Sequence, residues 1–194
     1  MPAAVVFAYH DVGVMGLEQV LAAGFDVRLV VTHEDDSAEG AWFASVADFA
    51  AERGLPAIAP ADPNTPDVVA RVRALAPEFV FSFYYRQLLG RALLEIPRRA
   101  ALNLHGSLLP RYRGRAPVNW AVIRGETETG ATLHHMVEKP DAGDIVDQLS
   151  VPIGPDDTTQ PPRSPAREAM ETRVRRLTAT ETVQAMPLSH FPLA

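Results

Sequence analysis

Asn103 and His105 stand one residue apart at the end of the apolar run Ala100–Leu104, and Asp141 follows in a glycine-bearing turn. An amide, an imidazole and a carboxylate are the groups that acyl transfer needs. Two of them donate hydrogen bonds to the oxygen of a tetrahedral intermediate, and the acid fixes the imidazole's tautomer and favours its protonated form. An extended strand sends alternate side chains to one face, so Asn103 and His105 point together from the carboxyl end of a strand. In open α/β sheets that end borders the ligand crevice. Taken alone, a histidine after an apolar strand is more often a hydrogen-bonded structural residue, and an asparagine there more often caps a turn. Asp141 and Asp144 flank Ala142-Gly143, which by itself reads as an ordinary turn.

Side chains so distant in sequence meet only if a sheet carries them. Val5–Ala8 reads as a strand, Gly13 and Gly16 as a turn with close backbone approach, Leu17–Ala22 as a helix and Val27–Val31 as a second strand. The phosphate-binding GxGxxG pattern is absent, so a dinucleotide site has little support. Residues 40–53 place Phe43, Val46, Ala47 and Ala50 at helical spacing, with Gly54 as a stop. Pro56–Ala59 predicts a strand, Asp67–Ala76 a helix, and Phe79–Phe83 a strand buried on both faces. A short helix near Leu88–Glu95, the Ala100–Leu104 strand, a helix at Val118–Arg124 and strands at Ala131–Val137 and Ile145–Val151 complete the pattern. The alternation predicts an α/β fold: a Rossmann-like, mostly parallel sheet with helices on both faces.

A chain of 194 residues with 47% hydrophobic content supports one domain with a sizeable core. Its net charge of −6 and the run His33-Glu34-Asp35-Asp36 give no broad footprint for nucleic acid. Without cysteine there are no disulfides, thiolate nucleophiles or cysteine-ligated metals. The amino terminus lacks a basic leader, and no run approaches the ~18 apolar residues of a membrane span, so a cytoplasmic protein without membrane insertion is expected. His134 and His135 are adjacent and would face opposite ways on a strand, and no HExxH spacing occurs, so no metal is expected. After Thr158 the character changes to TQPPRSP and then AREAMETRVRRL, with Met170, Val174 and Leu177 as a narrow apolar stripe. The chain thus divides into a domain over residues 1–158 and a Pro/Arg-rich tail over 159–194, which reads as a divergent, truncated or frame-shifted terminus.

The string NLHGSLLPRYRGRAP from Asn103 to Pro117, with Asp141-Ala142-Gly143-Asp144 downstream, resembles the folate-dependent formyltransferases. Within them it is most similar to the branch that formylates UDP-4-amino-4-deoxy-L-arabinose for lipid A modification and polymyxin resistance. The likeness extends to VVFAYHDVGVMGLEQVLAAGF near the start, FSFYYRQLL at Phe81–Leu89 and GETETGATLHHM at Gly125–Met136. It implies the N-terminal catalytic domain of that family. In that branch, the domain is often fused to a decarboxylating dehydrogenase. Relatives continue from the GPDDT segment into a long helix and a smaller β-rich domain, and none of these is recognisable here.

The resemblance further implies 10-formyltetrahydrofolate as co-substrate and Asn103, His105 and Asp141 as catalytic residues. It assigns a folate pocket to Gln87, Leu88 and Leu89 and to Val137, Glu138, Lys139, Pro140 and Asp141, and sugar-nucleotide binding to Arg115. Arg111, Arg113 and Arg115 otherwise read as a solvated basic loop, although guanidinium groups suit a pyrophosphate or carboxylate well. Tyr84, Tyr85 and Arg86 are expected beside the crevice. Leu108, Leu109 and Pro110 offer either an apolar wall for a pterin or plain loop packing. The alternative acceptors are methionyl-tRNA or another amino sugar nucleotide. Relatives acting on tRNA carry a basic insertion after the second strand, where this chain has EDDSAE at Glu34–Glu39, so the sugar is favoured. A different class is an inactive fragment that only binds ligand. The oligomeric state is not legible.

Overall fold

The computed structural model describes residues 1–35 and 43–154. The expectations for the 159–194 tail, for the boundary at 158 and for residues 40–42 of the second helix lie outside the described residues. The elements are β1 (Ala3–Ala8), α1 (His10–Ala22), β2 (Asp26–Val31), α2 (Val46–Glu52), β3 (Ala57–Ile58), α3 (Pro66–Ala74), β4 (Phe79–Phe83), α4 (Arg91–Leu94), β5 (Ala100–His105), α5 (Pro117–Ile123), β6 (Glu128–His135) and β7 (Ile145–Pro152). They build a seven-stranded sheet in the order β3-β2-β1-β4-β5-β6-β7. Strands β1 to β5 are parallel, while β6 and β7 run antiparallel to their neighbours.

β1, apolar throughout, and β4, apolar but for Ser82, are buried at every position, as strands covered on both faces must be. Two core clusters divide between those faces. One gathers Leu17 and Val20 of α1 and Val46 and Ala50 of α2 over Val6, Phe81, Leu102 and Leu133. The other gathers Val68, Val69 and Val72 of α3 and Leu93 of α4 over Phe7, Val31, Val80 and Ala101. Helix starts follow local chemistry. The Ser45 hydroxyl accepts the Asp48 N–H at 3.1 Å, which fixes the beginning of α2, and prolines in the first turns of α3 and α5 sit where no N–H partner is needed.

Gly13 and Gly16 correct one expectation, for they lie inside α1 rather than in a turn before it. The chain reverses earlier, at His10, which takes φ 65°. The glycines instead let the helix lie close on the sheet: a Cβ at Gly16 would stand 2.4 Å from the Phe83 ring, and one at Gly13 would stand 3.0 Å from Val46. Among the described residues no helix is long and apolar enough to cross a membrane.

Candidate active site

Strand order reverses between β1 and β4, and the crevice at a sheet's carboxyl edge opens beside such a point. Tyr9 N–H closes that edge by donating to the Phe83 carbonyl at 3.1 Å. One strand further on, Asn103 and His105 share the face of β5 that carries Ala101, as the alternation requires. Opposite them in the antiparallel register of β6 stand His134, paired with Asn103, and Thr132, paired with His105.

The loop after β5 then curls back over these residues. Thr132 anchors it: its hydroxyl donates to the Ser107 carbonyl at 2.6 Å and accepts the Leu109 N–H at 3.1 Å. Gln148 of β7 donates to the same hydroxyl at 2.8 Å and to the Leu109 carbonyl at 2.9 Å. Ser107 in turn donates to the Arg111 carbonyl at 2.7 Å. The curl ends with the Tyr112 carbonyl accepting from His105 Nε2 at 2.8 Å. Because a carbonyl only accepts, Nε2 of His105 carries a proton, and Nδ1 is turned toward Asp141.

Asp141 arrives from the β6–β7 loop at φ 51°, a conformation uncommon for a side-chain-bearing residue. Gly143 permits the approach, since a Cβ there would meet the His135 carbonyl oxygen. The carboxylate accepts the Gly114 N–H at 2.8 Å and lies 3.6 Å from His105 Nδ1 and 3.5 Å from His134 Nε2. Burial alone would raise the Asp141 carboxyl. The nearby His134 and His105 imidazoles and the Gly114 N–H outweigh it and hold the group below its ordinary value. His134 Nε2 is also 3.1 Å from Asn103 Nδ2, so an amide, two imidazoles and a carboxylate form one connected set. Two donors and an ionised acid brought this close together can polarise a carbonyl and accept a proton.

The remaining expected site residues occupy the loops after β4, β5 and β6. Arg115 is exposed, and its neighbour Gly114 is bound to Asp141, which brings the basic loop to the carboxylate. Gln87 turns inward and donates to the Ala61 carbonyl at 2.8 Å, leaving its Oε1 buried without a hydrogen-bond partner. Leu88 is 68% exposed and Val137 46% exposed, whereas Leu89 packs on the second core cluster. Glu138, Lys139 and Pro140 are exposed, and Glu138 is near enough to raise Arg91, after that residue's stronger coupling to Glu95. Leu89 and Met136 pack on the same core cluster, so the segments after β4 and β6 adjoin beside that face of the sheet.

Tyr84 is exposed beside His10, Tyr85 stacks on His33 at 4.2 Å, and the Arg86 guanidinium sits 4.5 Å over the Tyr9 ring. Leu108 and Leu109 do not form an open wall: Leu109 is buried, and Leu108 lies on Gly130, where an added Cβ would meet it at 2.5 Å. His134 is the residue that sequence reasoning missed. The adjacent pair does split, His134 at 1% exposure and His135 half-buried, but only the register of β6 against β5 tells which of the two turns in. Among the described residues no cluster of His, Cys, Asp or Glu could hold a metal ion.

The family described as formyl transferase matches residues 12–178 of the chain. Among solved structures, phosphoribosylglycinamide formyltransferase from Bacillus halodurans superposes with a TM-score of 0.77 at 22% identity, covering 99% of this chain and 100% of that one. Glycinamide ribonucleotide transformylase 1 from Symbiobacterium toebii gives 0.76 at 22%, covering 94% and 86%. An N-formyltransferase from Helicobacter canadensis, in complex with folinic acid and dTDP-3-aminofucose, gives 0.71 at 22%, covering 95% of this chain and 63% of that one. The mostly parallel seven-stranded sheet with its helices is the fold these proteins share.

Proposed function

Because the chain belongs to the formyl transferase family, we propose that residues 1–158 transfer a formyl group from 10-formyltetrahydrofolate to the 4-amino group of UDP-4-amino-4-deoxy-L-arabinose. The observation that carries this reading is the convergence of Asn103, His105 and Asp141, joined through His134, in one set of contacts.

The pocket residues suit a folate. Leu88 and Val137 leave apolar side chains bare on two adjoining segments, and the Gln87 Oε1 is a buried acceptor that a pterin N–H would satisfy. The bound folate supplies the electrophilic formyl carbon. Asn103 Nδ2–H and the Nδ1–H of a doubly protonated His105 hold the formyl oxygen as charge gathers on it. Nδ1 is free for this, because 3.6 Å to Asp141 is longer than a hydrogen bond. Asp141 takes the proton of the attacking amine, directly or through water. A new amine-to-carbon bond replaces the carbon-to-folate bond, and the proton ends on the departing nitrogen, so no covalent link to the protein is needed.

Arg115 pairs with the sugar nucleotide's diphosphate in this reading, an anion that a guanidinium matches in two-point geometry. The folinic acid and dTDP-3-aminofucose held by the Helicobacter canadensis protein support a folate and a sugar nucleotide as the ligand pair. A second acceptor, phosphoribosylglycinamide, is favoured by the near-complete mutual coverage with the Bacillus halodurans protein. Mass spectrometry after incubation with formylfolate and each of UDP-4-amino-4-deoxy-L-arabinose, phosphoribosylglycinamide and methionyl-tRNA separates the readings. Gain of one formyl group on the sugar nucleotide is expected. Gain on either other acceptor reassigns the substrate, and calorimetric binding without product on any acceptor leaves a ligand-binding fragment.

A further inference from the structure

We infer that His134 is a positioning residue that sets the orientation of the Asn103 amide through a fixed tautomer. The inference rests on the formyl-transfer reading, in which Asn103 is an oxyanion donor, and it concerns a side chain outside the expected trio.

His134 Nδ1 lies 2.8 Å from the carbonyl oxygen of His135, and a carbonyl only accepts. Nδ1 therefore carries a proton, and in the neutral ring Nε2 keeps its lone pair. That lone pair lies 3.1 Å from Asn103 Nδ2, on the residue directly opposite in the β5–β6 register. An acceptor at this point demands the NH2 end of the amide. One Asn103 N–H is tied to His134, and the geometry of a planar amide then directs the other toward the cleft, beside His105. Reversing the tautomer would reverse the amide, presenting Oδ1 to His134 and removing a donor from the oxyanion position.

The ring is well held for the task. His134 is 1% exposed on an interior strand, with β5 on one side and β7 on the other. The charged and titratable groups facing it are Asp141 at 3.5 Å, His105 with ring centroids 6.4 Å away, and the adjacent His135. Asp141 competes with Asn103: a second proton on Nε2 would turn that nitrogen from acceptor to donor and hand it to the carboxylate. The 3.1 Å contact to the amide is the shorter of the two, which identifies the neutral ring as the form that orients Asn103.

Two measurements test this. Nitrogen NMR of imidazole-labelled protein without ligand, at neutral pH, should find His134 with Nδ1 protonated and Nε2 bare, and the opposite tautomer or a doubly protonated ring overturns the inference. Kinetics follow on His134→Gln, whose amide oxygen can replace the Nε2 acceptor, and on His134→Leu, which cannot. The Gln variant should keep kcat within several-fold of the parent. The Leu variant should lose about 10²-fold in kcat with KM little changed, the scale of an angstrom-level misplacement. Equal losses in both folded variants overturn the inference. Failure of the unsubstituted protein to formylate any acceptor would remove the proposed function instead, and the NMR result would still decide the tautomer.

Discussion

The half of the sheet built from β1, β2 and β4 and the half built from β5, β6 and β7 solve different problems. In the first, burial is almost entirely apolar: Phe7, Phe25, Phe79, Phe81 and Phe83 are all among the largest fully buried side chains, with Phe25 meeting Phe79 and Phe81 edge-on at 5.5 and 5.3 Å. In the second, His105, Ser107, Thr129, Thr132 and His134 are buried polar residues, and Thr132 alone joins three hydrogen bonds. The first half gains stability from area removed from water. The second gives up some of that gain to hold a loop and four polar side chains in one arrangement, which apolar packing cannot orient. Stability and chemistry are thereby separable by region, and substitutions can test the separation.

The largest effect is expected in the apolar half. Phe81→Ala should destabilise the fold by about 3–5 kcal/mol, as truncation of a buried aromatic does, while turnover per folded molecule stays near the parent value; chemical denaturation and active-site titration read the two separately. Asn103→Ala should show the reverse. With one oxyanion donor gone, turnover should fall about 10²–10³-fold with little change in denaturation midpoint, and near-parent turnover would remove Asn103 from the chemistry.

Thr132→Val blurs the boundary on purpose. The shape is kept but the Leu109 N–H and Ser107 carbonyl lose their partner, so a loss of about 1–3 kcal/mol is expected. Turnover should fall as well, because the same loop supplies the carbonyl that fixes His105. A stability loss with full activity would show that the loop is not what holds the imidazole.

Mild acid gives the smallest effect. Burial first, and the Arg86 charge second, hold His33 below the ordinary imidazole value, while its Nε2 accepts the Arg86 N–H at 3.1 Å. His135 is lowered too, by burial above all. A histidine kept neutral in the folded state binds fewer protons than in the unfolded chain, so stability is full above pH 6.5 and declines as pH falls through 6.5 toward the folded values. Thermal melts at neutral and mildly acidic pH should show this drop, and His33→Asn should make it smaller.

Much of the framework was legible in the sequence. The run Phe79–Phe83 is apolar but for Ser82, and its strand is reproduced residue for residue. Ala100–Leu104 fell short by one residue, since β5 continues through His105. The second helix begins at Ser45 because a capping hydroxyl, invisible to hydrophobic spacing, sets the start. Gly13 and Gly16 were misplaced because a glycine that admits a neighbouring element and a glycine that makes a turn look alike in one dimension.

By itself the sequence determined which strands are buried on both faces, that Asn103 and His105 share a side, and that an acid follows in a glycine turn. Those are consequences of a period of two and of local turn chemistry, both of which act over a few residues. Only the tertiary structure decided that Asp141 reaches His105, that the Tyr112 carbonyl fixes that imidazole, and that His134 rather than His135 turns in against Asn103. Each of these depends on the antiparallel register of β5 on β6 and on the loops that return over it. Register is fixed by packing across the whole sheet, where a slip of one residue would exchange the two faces of β6.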